Sequence, residues 1–86
     1  EAMIDGGVAA GLDRSTARAL AEQTIRGAAA LLADADDEPA ELRRRVTSPH
    51  GTTHAAISTF DERGVDAALR AGVEAAARRS AELSGS

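Results

Sequence analysis

The residues with the most chemical character stand together as Thr47, Ser48, Pro49, His50, Gly51, Thr52, Thr53 and His54. Four hydroxyls surround a Pro/Gly turn, and an Ala-rich helical pattern opens directly behind it. The first amides of an α-helix have no acceptor inside the helix, and the dipole adds partial positive charge at that end. A turn leading into such a terminus, with a glycine that lets the backbone come close, suits a small carboxylate or phosphate. An ordinary helix cap formed by Thr52 or Thr53 gives the same pattern. The residues alone leave both readings open.

Other chemistries are less well supplied. His50 and His54 are four apart, a spacing that suits a metal when both lie on one helix. His50, however, belongs to the turn, and neither Cys nor a placed carboxylate completes a ligand set, so no metal site is expected. No serine sits in a nucleophile elbow, no phosphate loop is present and no carboxylate pair stands out. A complete catalytic apparatus is therefore not expected within these 86 residues. Asp34, Asp36, Asp37 and Glu38 read as a solvated turn. Arg43, Arg44 and Arg45 would point in three directions on a helix and cannot form one phosphate patch.

The elements that must hold the turn read as helices throughout. Met3, Ile4, Val8 and Ala10 recur at near-helical spacing over 1–10, with Gly11 placed to end that helix. Gly6-Gly7 inside it costs about 1 kcal/mol per Gly against Ala. It marks either a weak helix or the close approach of another one. Asp13 is a good N-cap for a long amphipathic helix, its carboxylate placed to accept from Ser15 or Thr16. Ala17, Leu20, Ala21, Thr24, Ile25, Ala28, Leu31 and Leu32 form the apolar stripe of that helix. Pro39 opens a short helix to about Val46. A fourth helix carries Ala55, Ala56, Ile57 and Phe60 and stops at Gly64. A fifth, from Val65 to about Leu83, lines Leu69, Val73, Ala76 and Ala77 along one face, and 84–86 should fray. There is no strand signal and no internal repeat. The fold class is all-α, a small bundle of about five helices.

Composition says how such a bundle must be completed. Of 37 hydrophobic residues 21 are Ala, leaving only 16 large apolar side chains. A lone domain of this size buries only about 60–65% of the surface its unfolded chain exposes. This shortage excludes a β-sandwich or barrel, and it predicts helices that pack closely through Ala against a second chain. The lack of Cys excludes disulfides and thiolate metal sites. A net charge of −4 disfavours nucleic acid and anionic membrane as partners, and no apolar run reaches membrane-spanning length. The chain begins at Glu1 in what reads as mid-helix, so it is expected to be a piece of something longer.

The sequence, read as one helical domain over 1–86, resembles the C-terminal dimerisation domain of pyrroline-5-carboxylate reductase over nearly its full length. The matching pieces run from Glu1 to Leu12, from Gln23 to Ala29 with Leu31-Leu32, and from Pro39 to Arg43. Val46-Thr47-Ser48-Pro49 with Gly51-Thr52-Thr53 follows, then Val73-Glu74-Ala75-Ala76. The Val-Thr-Ser-Pro-x-Gly-Thr-Thr element is the most specific of these. The resemblance implies an enzyme that reduces 1-pyrroline-5-carboxylate to L-proline with NADPH or NADH, the last step of proline biosynthesis, in the cytoplasm. It implies an N-terminal Rossmann domain, absent here, for the cofactor. It also implies a helical domain that interleaves with a second chain as a homodimer, with dimers joining into decamers in many members.

Carried over by position, the resemblance assigns the substrate carboxylate to Ser48 and to the amides of Gly51, Thr52 and Thr53. It makes Thr53 the candidate catalytic residue, its hydroxyl reaching the ring nitrogen to orient the imine or assist its protonation. It also makes Gly6, Gly7 and Gly27 close-packing positions. Without the cofactor motif, these residues alone should have no reductase activity. His50 departs from the family pattern, which has Gly there, and a positive φ at this position would strain it. The competing readings are a non-enzymatic helical interaction module and, disfavoured by the charge, a helix-turn-helix DNA binder.

Overall fold

The computed structural model describes residues 1–85. Among them are five helices and no strand: α1 (Ala2–Ala9), α2 (Arg14–Asp34), α3 (Pro39–Val46), α4 (Thr52–Glu62) and α5 (Val65–Gly85). The all-α expectation holds element by element. Fraying at Ser84 and Gly85 is not found, because α5 continues through both and the Ser84 hydroxyl donates to the Ser80 carbonyl at 3.0 Å. Ser86, where the same fraying was expected, lies outside the described residues. Two compact units divide the chain, Glu1–Leu42 and a second that begins at Arg43.

In the first unit, α1 packs against α2. α1 ends in a Schellman motif: the Leu12 amide donates to the Gly7 carbonyl and the Gly11 amide to the Val8 carbonyl, both at 3.0 Å. Gly11 makes this possible at φ +113. Asp13 then caps α2 as expected. Its carboxylate accepts from the Ser15 and Thr16 hydroxyls at 2.6 Å each and from the Thr16 amide at 3.3 Å. Those hydrogen bonds, the Ser15 hydroxyl's first, hold the Asp13 carboxyl down at about 2, so the charged form caps the helix at all ordinary pH. Arg14 reaches back to Asp5 at 3.2 Å, an exposed pair of small energetic weight.

Gly7 decides how closely α1 can approach α2. A Cβ on Gly7 would lie 3.0 Å from the Ala17 Cβ, and Ala17 is the most buried residue described, at 2% exposure. The close-approach reading of the Gly-Gly pair is therefore correct at Gly7, with α2 as the approaching helix. Gly6 and Gly27 have nothing within 4 Å of such a Cβ. The two adjacent glycines should respond oppositely to Ala. A methyl fixed to the backbone cannot rotate away, so Gly7→Ala makes α1 and α2 give by a few tenths of an ångström, a strain expected to exceed the roughly 1 kcal/mol of helix propensity gained. Gly6→Ala meets open space and keeps that gain, unless a partner chain fills the space. Urea unfolding of each variant measures the difference.

In the second unit, α4 packs against α5. Gly64, at φ +73, closes α4 and offers its carbonyl to the Ala68 amide as α5 begins. A surface groove of about 240 Å³ lies along this junction, lined by Arg43, Ile57, Phe60, Asp61, Val65 and Leu69 among others.

Very little of the chain is buried. Ala17 and Ala21 are the only buried residues among those described, and thirteen of the sixteen large apolar side chains are exposed. Leu20, Ile25, Leu31 and Leu32 lie open on α2, as do Leu69, Val73 and Leu83 on α5. Of the α2 stripe read from the sequence only Ala17 and Ala21 are covered; a single copy leaves its large side chains, and those of the α5 stripe, in water. No helix among the described residues is long and apolar enough to cross a membrane.

Candidate functional site

The turn between α3 and α4 belongs wholly to the second unit. α3 ends at Val46, and Thr47 closes it: the Thr47 hydroxyl donates to the Arg43 carbonyl at 2.6 Å and its amide to the Arg44 carbonyl at 3.3 Å. Thr47 thus turns back to the preceding helix and takes no part in the hydroxyl cluster ahead. The next four residues form a β-turn in which the Gly51 amide donates to the Ser48 carbonyl at 3.0 Å. Pro49 occupies the second position and His50 the third, at φ +63, the arrangement of a type II turn. The third position of such a turn favours Gly. The strain anticipated for His50 is present, at about 1–2 kcal/mol for a side chain in the left-handed region.

α4 starts one residue before the earlier of the two expected threonine caps could act. Gly51 is the N-cap, its carbonyl accepting from the Ala55 amide at 3.1 Å, and no side chain caps the helix. Thr52 and Thr53 lie inside the first turn. Capping by either hydroxyl, one of the two readings of this stretch, is thereby corrected: a glycine cap has no side chain to signal it in the sequence. The first-turn amides of Thr52 and Thr53 have no acceptor within the helix. Among the described residues, the hydroxyls of Ser48, Thr52 and Thr53 have no hydrogen-bond partner. Ser48 and Thr52 are exposed and Thr53 is half-buried. The Gly51 amide, expected to join in holding a carboxylate, is occupied by Ser48. What the turn offers an anion is two amides, three hydroxyls and the positive end of an eleven-residue helix.

The structure also supplies a contact that sequence reasoning missed. The His50 amide donates to Nδ1 of His54 at 3.3 Å, and the two imidazoles stack with centroids 5.9 Å apart and planes 8° from parallel. The i, i+4 spacing was visible, but its meaning depends on the φ of His50. No group of three or more His, Cys, Asp or Glu among the described residues could hold a metal. Nor do these residues suit a dinucleotide: without a strand there is no strand, glycine loop and helix to cradle a pyrophosphate.

Helices whose large apolar side chains lie exposed define the class, a helical assembly domain, and its second unit carries a turn with uncapped amides. The family model described as pyrroline-5-carboxylate reductase dimerisation matches residues 1–83. The chain belongs to this family. It is 52% identical over 83 residues to a pyrroline-5-carboxylate reductase of Pseudomonas aeruginosa, covering 96% of the chain and 30% of the relative. It is 48% identical over 84 residues to one of Pisum sativum, covering 98% of the chain and 31% of the relative. Among solved structures it is similar to the NADP-bound pyrroline carboxylate reductase of Plasmodium falciparum, with a TM-score of 0.87 and 29% identity. That likeness covers 92% of the chain and 32% of the solved protein. The chain thus spans about a third of the length of its relatives.

Proposed function

We propose that this chain is the dimerisation and substrate-carboxylate domain of a pyrroline-5-carboxylate reductase, an enzyme that reduces 1-pyrroline-5-carboxylate to L-proline in the last step of proline biosynthesis. The observation that carries this reading is the uncapped start of α4 behind the Ser48–Gly51 turn, in a chain matched to that family over residues 1–83. The substrate is a small cyclic imine with one carboxylate, and the turn offers what a carboxylate needs. The amides of Thr52 and Thr53 and the Ser48 hydroxyl hold the two oxygens. The Thr53 hydroxyl extends to the ring nitrogen, where it orients the imine or assists its protonation as the C=N bond becomes CH–NH. NADPH or NADH serves as reductant and is held outside these residues, which offer it no cradle.

Two copies complete each other's core in this reading. The exposed stripes of α2 and α5 meet those of a second chain, giving a homodimer, and dimers joining into a decamer are the larger assembly it accommodates. Neither nucleic acid nor membrane is a partner, and the enzyme works in the cytoplasm. Thr53→Ala in the full-length reductase tests the site. Loss of a hydrogen bond to a charged or reacting group should lower kcat/KM for 1-pyrroline-5-carboxylate by about 10- to 100-fold, with the oligomeric state unchanged. Wild-type kinetic constants in that variant would remove Thr53 from the site.

A further inference from the structure

The His50–His54 pair is the feature of the turn that neither helix capping nor carboxylate binding accounts for. His50 holds a φ of +63 that a side chain rarely adopts. Its amide donates to Nδ1 of His54, and an Nδ1 that accepts an N–H carries no proton. The His50 ring lies nearly parallel to this imidazole, 8° from its plane and with centroids 5.9 Å apart. Residue 50 lies two positions before Thr52, whose amide opens the anion site, so any relaxation of the turn moves the donors.

We propose that His54 is a positioning residue for this turn: its Nδ1 fixes the His50 amide and its ring backs the His50 ring. Together these contacts hold a non-glycine residue at positive φ in the geometry that presents the Thr52 and Thr53 amides. The proposal rests on the reading of residues 48–53 as the carboxylate site. It gives His54 no contact with the reacting atoms. His54 is exposed, so its replacement leaves the helices themselves intact.

The test is steady-state kinetics on the full-length reductase with 1-pyrroline-5-carboxylate as the varied substrate. His54→Leu should raise KM about 3- to 10-fold, the loss of one hydrogen bond's worth of placement, with kcat changed less than about twofold. His54→Asn, whose Oδ1 stands near the place of Nδ1, should restore KM to within about twofold of wild type. In a His50→Gly background the turn needs no staple, and the His54→Leu effect should shrink to less than about twofold. An unchanged KM in His54→Leu overturns the proposal, as does an effect of the same size in both backgrounds. If Thr53→Ala raises KM and His54→Leu does not, only the role of His54 fails. If Thr53→Ala has no effect either, the carboxylate reading fails and takes this one with it.

Discussion

Leu69→Glu and Val73→Glu should each dissolve the assembly. Both side chains lie open in a single copy, at 67% and 71% exposure, and together they line a shallow apolar surface with Arg70 and Glu74. On a monomer's surface such changes fall within about ±0.5 kcal/mol. If a second copy covers this face of α5, each instead places an unpaired carboxylate in an apolar interface, at a cost of several kcal/mol per charge. The chain has little to fall back on, because Ala17 and Ala21 are its only buried residues among those described. The expected result is a shift from dimer to monomer in sedimentation, together with loss of helical circular dichroism in the same concentration range. A variant that stayed folded and assembled would place the interface elsewhere.

The second large effect is expected at Gly51. A Cβ there would meet the Ser48 carbonyl oxygen at 3.2 Å and the Ser48 Cβ at 3.3 Å, tighter than ordinary contacts. The backbone is not the obstacle, since φ at Gly51 is −86, open to any residue. The obstacle is the inside of the turn. Gly51→Val adds a branched side chain at that point and should break the hydrogen bond from the Gly51 amide to Ser48, swinging the start of α4 away from the turn. Displacement of positioning groups by about 1 Å can cost about 100-fold in activity. Full-length reductase carrying Gly51→Val should therefore lose kcat/KM on that scale while sedimenting as wild type. Near-normal turnover would show that the turn does not place the substrate.

Much of the fold was legible because its signals are local. Asp13 announced α2 through a carboxylate three residues from an amide it could reach, and Gly11 and Gly64 announced helix ends where a positive φ is needed. Pro39 opened α3 as its missing N–H allows. The poverty of large side chains predicted a core that one chain cannot close, and the exposure of thirteen of sixteen is its physical expression. The candidate site was legible as a turn opening a helix, but not in its finer wiring. Thr52 and Thr53 looked like caps because threonine so often is one, whereas the cap is a glycine with no side chain to reveal it. Thr47 looked like part of the cluster, yet its hydroxyl turns back to α3, as the i to i−4 geometry of a helix end permits. The partner of the His50 amide could not be read at all, since it exists only once the turn has set the φ of His50.

These helices are expected to complete their core across chains. Sedimentation equilibrium of the 86-residue chain over a wide concentration range tests it most directly, with helicity followed in parallel. A dimer or a larger even-numbered assembly is expected, with helicity lost wherever dilution yields monomer. A folded, helical monomer persisting at the lowest concentrations would mean that the Ala-rich stripes need no partner and that the core does not close across chains.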